Sequence, residues 1–120
     1  MSTLKVNTLE EATVGGATFY TAKAWVNFDG ESSTLAVRSS GNVSGVVDNG
    51  TGLYTVSFTT AFSDANYAIG SAANKEASQG RMRQIGTSEG SAPTTGSVAI
   101  RSMLDTVLWD SVRVMLSFTR

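Results

Sequence analysis

The sequence predicts an all-β protein, an antiparallel β-sandwich of jelly-roll-like type with an extended N-terminal segment. Three observations lead there. Apolar and polar residues alternate with a period of two in several runs, the signature of strands with one buried face. Thr, Val, Phe and Tyr dominate those runs, as a pleated, half-buried surface prefers. Turn-forming clusters of Asp, Asn, Ser and Gly separate them at short spacing, which favours a sandwich or barrel over a parallel sheet with crossover helices.

The elements follow in chain order. Strands are expected near 4–8, 23–28, 34–38, 42–47, 53–60, 66–73, 81–86, 96–102 and 111–119. In the second, Ala24, Val26 and Phe28 face one way and Trp25 and Asn27 the other. Tyr54, Val56 and Phe58 alternate with Thr55, Ser57 and Thr59. Val112, Val114, Leu116 and Phe118 alternate with Ser111, Arg113, Met115 and Ser117. Asp48-Asn49-Gly50-Thr51-Gly52 lies between two apolar runs, and Asn and Gly accept the positive φ of a tight hairpin turn. Further breaks fall at Asp29-Gly30, Ser39-Ser40-Gly41, Asp64-Ala65-Asn66 and across Gly86 to Gly96. Helical turns are conceivable in two places alone, Ala73 to Ser78 and Met103 to Ser111. Residues 1–22 carry scattered apolar side chains (Leu4, Val6, Leu9, Val14) and a Gly15-Gly16 break, too sparse for a core. They form a docking or clasp segment, and residues 23–120 form the domain.

Composition removes whole classes of chemistry. Among 120 residues, nine basic and ten acidic side chains leave a net charge of −1, without the clustered cations that nucleic-acid binding requires. Arg81 and Arg83, two apart, would share one strand face, too few charges to track phosphates. Cysteine is absent, which excludes disulfides, thiolate metal sites and thiol nucleophiles. Histidine is absent too, and with it the commonest metal ligand and the commonest base near neutral pH. The N-terminus has no basic stretch followed by an apolar run, and no stretch approaches the roughly 20 apolar residues of a membrane helix. A soluble protein made without export, inserted in no membrane and needing no cofactor, is the expectation.

Candidate sites are few. Asp29, Gly30 and Glu31 offer oxygens to a hard cation, but a calcium loop needs more ligands at set spacing, and Asp-Gly is also what a turn requires. The turn is the preferred reading. Two carboxylates can hydrolyse a glycoside, yet the acids sit in predicted turns or the N-terminal segment, with no apolar surroundings to raise a pKa. A serine nucleophile lacks a histidine base. The Gly-rich segments lack the Lys-Ser/Thr ending that holds nucleotide phosphates. Catalytic and metal sites are therefore expected to be absent. Trp25, Tyr20, Trp109 and Tyr67 have flat faces on which sugars can stack. Trp25 and Met115, on the polar faces of their strands, fit burial between subunits better, and Trp109 closes a short apolar patch. Arg38 lies on a strand with apolar neighbours, where it can pair across a subunit boundary or lie solvated. Apolar positions on both sheet faces exceed what one small sandwich covers, so a homo-oligomer is expected, with Trp25, Trp109, Met115 and Arg38 at its interface.

Several ordered pieces resemble a module that recurs in tail fibres and related appendage proteins of tailed bacteriophages. These are "KVNTL", "AKAWVNFDG", "VRSSGNVSGVVDNGTGLYTVSFTTAFSDANYAI" and the closing "VRVMLSFTR". The match is carried by Trp25, Phe28, Asp29, Gly30, Arg38, Asn42 and Val43, by the Asp48 to Gly52 turn, by Tyr54, Val56 and Phe58, and by Asp64 to Tyr67. It covers about residues 23–69 well and the last strand moderately, and leaves 70–110 uncovered. The resemblance implies a β-sandwich-like module that trimerises and projects from the virion towards the host surface. It implies a non-enzymatic virion structural protein made in the host cytoplasm: a short tail fibre, or a baseplate or tail-tip appendage. Its partners would be itself, other tail or baseplate proteins through residues 2–20, and a host surface glycan. The long polar loops 71–80 and 87–95 are the candidate receptor contacts, the candidate residues being Asn74, Lys75, Glu76, Gln79, Arg81, Ser88, Glu89 and Thr94. A head or tail decoration protein, a free-standing lectin and a hydrolase are the competing readings.

Overall fold

The computed structural model describes residues 3, 5, 22–31, 33–74 and 82–120. Nine strands lie among these residues: β1 (Ala22–Asp29), β2 (Ala36–Gly41), β3 (Val43–Gly50), β4 (Leu53–Phe58), β5 (Ala68–Asn74), β6 (Met82–Thr87), β7 (Ser97–Leu104), β8 (Val107–Leu108) and β9 (Arg113–Thr119). All pairings are antiparallel, in the order β2-β1-β9-β5-β6-β7-β4-β3, with β8 on β7. The path nearly closes on itself as a barrel-like sheet, since its two ends, β2 and β3, are joined through Asn42 alone and touch. The predicted strand at 4–8 and the whole segment 1–21 lie outside the described residues, apart from Thr3 and Lys5, which are not in strands.

Alternation decides which side chains go inside. Ala24, Val26 and Phe28 of β1, Tyr54, Val56 and Phe58 of β4, Val98 and Ile100 of β7, and Val114, Leu116 and Phe118 of β9 are all buried. Because successive side chains point to opposite faces, each register places these rows against one another: Val26 opposite Leu116, Phe28 opposite Val114, Tyr54 opposite Ile100 and Val56 opposite Val98. Phe58 is the hub of one end, meeting Phe62, Tyr67 and Phe118 edge-on at 4.8, 5.6 and 5.0 Å between ring centroids. Burying each such side chain contributes about 1.5–3 kcal/mol, whereas an exposed ion pair contributes at most about 1 kcal/mol, so the inner rows hold the fold.

The joint between β2 and β3 depends on one residue. Asn42 has φ +53°, a left-handed conformation that Asn tolerates because its short side chain bonds locally. Its Oδ1 accepts from Thr60 N at 2.7 Å, and its Nδ2 donates to the carbonyls of Lys23 (3.0 Å) and Thr60 (3.1 Å). One amide thus ties the start of β1 and the end of β4 to the corner.

Two expectations are corrected. Met103 to Ser111 holds no helical turn: Asp105, at φ +55°, turns the chain so that β8 folds back on β7, with Leu104 opposite Val107. Of Ala73 to Ser78, Ala73 and Asn74 finish β5, and the rest lies outside the described residues. Ser111, expected on the polar face of its strand, is fully buried, because the chain bends at Val112 before β9 begins and Ser111 Oγ meets Ser102 Oγ at 2.8 Å.

Candidate functional site

The acidic turn after β1 is explained by packing. Asp29 Oδ1 accepts from Glu31 N at 2.9 Å, the bond of an Asx turn, and Asp29 Oδ2 stands 3.6 Å from Arg38. Gly30 is buried because Tyr54 fills the space beside it: a Cβ there would lie 2.3 Å from the phenolic oxygen. Tyr54 OH donates to Gly30 O at 3.1 Å or to Asp110 Oδ1 at 3.0 Å. The same Asp110 oxygen accepts from Gly52 N at 2.7 Å. Gly52 has φ +69°, and an added Cβ would sit 2.6 Å from the Ser102 carbonyl. Burial, followed by the Asp110 carboxylate, pushes the Tyr54 phenol well above its ordinary range, so it stays a neutral donor. These groups form a structural clasp at one end of the barrel. Among the described residues, no three acidic side chains come together in a way that could hold a metal ion.

The residues expected at a subunit interface divide into two places. Trp25, Arg38 and Met115 share the outer face of β2, β1 and β9. Trp25 is opposite Ser117 and Asn27 opposite Met115, so Trp25 and Met115 are diagonal neighbours, 43 % and 37 % exposed. Beyond them, Gly70 and Ala72 of β5 stand opposite Ser117 and Met115 and add little bulk to the face. Arg38 has partners in its own chain: Nη2 donates to Val112 O at 2.8 Å, Nη1 to Asn27 Oδ1 at 3.3 Å, and Asp29 lies alongside. Trp109 stands apart at the clasp end, 43 % exposed, with the Arg83 guanidinium 5.6 Å from its ring.

Of the first candidate contact loop, Ser71 to Asn74 are strand and not loop, the end of β5, and the described residues of the two candidates reach opposite ends of the barrel. Asn74 is opposite Arg113, at the end where β1 finishes, whereas Thr94 bonds to Ser97 at the other end, beside Phe62 and Tyr67. Ser88 and Glu89 begin that second loop, and Glu89 reaches Arg101 at 3.7 Å. Lys75, Glu76, Gln79 and Arg81 lie outside the described residues, as does Tyr20. Tyr67 is not a sugar platform: it is buried, its ring packs on Phe58, Phe62 and Phe118, and its hydroxyl bonds to the Thr94 and Ser97 carbonyls.

Between β5 and β6 the wall opens. The two strands pair at Ala73–Arg83 and Asn74–Met82, then part, β5 following β9 and β6 following β7. A cleft of about 310 Å³ results, bordered by Tyr67, Ile69, Ile85, Pro93 and Ile100. A second depression of about 460 Å³ adjoins it, sharing Ser71, Ile85 and Gly86 and adding Arg83 and Arg101. Arg83 is the residue that composition alone undervalued. It shares strand parity with Ile85, which puts it on the inward face, and at 8 % exposure it is the one buried cation among the described residues. Among the described residues its Nε and Nη1 have no hydrogen-bond acceptor, and Asn74 Oδ1, one position further along β5 from the Ala73–Arg83 pair, has no donor.

No family model, no curated protein and no solved structure matches this chain.

Proposed function

We propose that this protein is a non-enzymatic structural component of a tailed-bacteriophage virion, a short tail fibre or baseplate or tail-tip appendage. In this reading it assembles as a homotrimer and attaches to the host cell surface. The two halves of the nearly closed sheet act as the layers of a sandwich, with β1 and β4 meeting through Phe28 and Tyr54 at 5.1 Å between ring centroids. Residues 2–20 dock the module onto neighbouring tail or baseplate proteins.

The observation that carries the reading is the outer face bearing exposed Trp25 and Met115 at diagonal positions, continued by Gly70 and Ala72. An exposed apolar patch rimmed by polar groups marks a contact surface. Three-fold assembly sets identical loops side by side, and repeated weak contacts to surface sugars then add up through effective concentration. Loop 87–95 is the contact loop in this arrangement.

Native mass measured over rising protein concentration tests the assembly. Three copies are expected, falling to one when Trp25→Lys and Met115→Lys are combined. A wild-type protein that stays a single copy at high concentration sinks the trimer. Replacing loop 87–95 should abolish adsorption of the virus to its host. Unchanged adsorption leaves a decoration protein without a receptor role.

A further inference from the structure

The wall between β5 and β6 is unfinished. β5 lies beside β9 over its whole length, and β6 lies beside β7 from Gln84 to Thr87, but the two meet only at Ala73–Arg83 and Asn74–Met82. Among the described residues, no strand pairs with the other edge of β5 from Ala68 to Ala72, nor with the facing edge of β6 from Gln84 to Thr87. Such an edge presents backbone N–H and C=O groups that template a further strand. The side chains agree. Ser71 shares strand parity with buried Ala73, and Thr87 with buried Arg83, yet both are exposed. Behind them Tyr67, Ile69, Ile85 and Ile100 line the cleft of about 310 Å³. A free edge beside an apolar floor suits an extended peptide, whose main chain supplies affinity and whose alternate side chains supply specificity.

We propose that the N-terminal segment of a sister copy fills this cleft as an added strand, residues 4–8 pairing with the free edge of β5 and Leu4 and Val6 turning onto Ile69 and Ile85. Leu4 and Val6 alternate with Lys5 and Asn7, so one side of the added strand is apolar and the other polar. The free edge from Ala68 to Ala72 has the same length as residues 4–8, about 17 Å when extended. The inference rests on the assembly proposed above and names the neighbour that the segment meets.

Position and reach point to this occupant. Ala22, where the segment joins β1, stands opposite Thr119, and Thr119 stands opposite Ala68, so the segment leaves the barrel at the open end of the cleft. It also leaves three residues from Trp25, on the strand whose outer face carries the proposed contact, and that face ends at β5 beside the cleft. A copy seated there carries its own segment into the same neighbourhood. Within one chain, Thr3 and Lys5 are exposed and belong to no strand. The thirteen residues between Thr8 and Ala22 span up to about 43 Å, against the roughly 10 Å of two strand spacings that separates Ala22 from β5 of its own chain. That reach suffices for a neighbour.

The chain has no cysteine, so engineered ones report contact without background. A disulfide forms only where two Cα atoms come within about 7 Å. The full chain carrying Val6→Cys and Ser71→Cys should, on mild oxidation, give covalent multimers on a denaturing gel, with the 6–71 link found by peptide mapping. Leu4→Cys or Thr8→Cys in place of Val6→Cys covers a shifted register. Thr51→Cys, exposed in the turn between β3 and β4, should not be captured. Leu4→Asp combined with Val6→Asp should raise the concentration at which copies separate about tenfold or more, the loss of roughly one buried apolar side chain. A link formed within one chain overturns the exchange, because the segment then fills its own cleft. Capture at position 51 as readily as at 71 shows random collision and overturns it as well. Three copies by native mass with no link from positions 4, 6 or 8 overturn the exchange and leave the assembly standing, whereas a single copy at high concentration sinks both.

Discussion

The clasp around Tyr54 and the corner around Arg83 are both buried, both polar and both next to the β7–β8 hairpin, yet they are built on opposite terms. At the clasp, hydroxyl, carboxylate and amide meet in good geometry: Tyr54 OH, Asp110 Oδ1, Gly52 N and Gly30 O lie 2.7–3.1 Å from their partners. At the corner, Arg83 Nε and Nη1 and Asn74 Oδ1 are left over. A satisfied buried network holds one structure rigidly, while an unsatisfied group opposes it. The difference separates a stabilising corner from a costly one more sharply than residue type does, since a carboxylate holds the first together and a guanidinium beside a tryptophan is left short of partners in the second.

The contrast can be broken by substitution, the largest effect first. Gly52→Ala should cost about 3 kcal/mol, from left-handed strain together with a Cβ forced against the Ser102 carbonyl, and would be read from the urea midpoint. Tyr54→Phe removes the donor, leaving the Gly30 carbonyl without the hydroxyl and Asp110 Oδ1 with Gly52 N alone, for a loss of about 1–3 kcal/mol in the same assay. Arg83→Met should go the other way. An apolar chain of similar reach next to Trp109 ends the unpaired burial and should stabilise the protein by about 1 kcal/mol, because well-packed apolar groups often replace buried charges at a gain. A large loss of stability in Arg83→Met would mean that the corner is as fully satisfied as the clasp, and the comparison would fall.

The smallest effect is electrostatic and lies at the far end of the barrel. Arg120 donates to both Asp64 oxygens, at 2.8 and 2.6 Å, and Asp64 also accepts from Asn66 N. The Arg120 bond, followed by that of Asn66, holds the Asp64 carboxyl at about 2, below its ordinary 3.8. A carboxyl depressed in the folded state adds stability above the unfolded value, and that contribution fades as pH falls through about 2. Arg120→Ala should raise the Asp64 midpoint towards 3.8 in an NMR titration, with little change in stability at neutral pH, because the pair is solvated. An unmoved midpoint would show that the Asn66 turn alone sets it.

Much of this architecture was legible from residues a few positions apart. Ala24, Val26 and Phe28, then Tyr54, Val56 and Phe58, declare their strands because the period of a pleat is local. The Asp48 to Gly52 turn likewise needs nothing beyond itself to be recognised. The short stretch from Met103 to Ser111 misled, since Val107, Leu108 and Trp109 are compatible with either period until β7 supplies a partner. The candidate site was least legible. Arg83 shows its parity with Ile85, but not that the wall parts beside it.

Local alternation therefore determined, by itself, that the chain is all-β, where most strands lie and which side chains form the inner rows. Tertiary structure alone decided which polar groups meet. Tyr54 finds Asp110 across 56 positions and Arg38 finds Val112 across 74, and no pattern within a strand encodes such distances. A hydrogen bond depends on where two atoms end up, and that is settled only when the sheet curls round to bring its edges together.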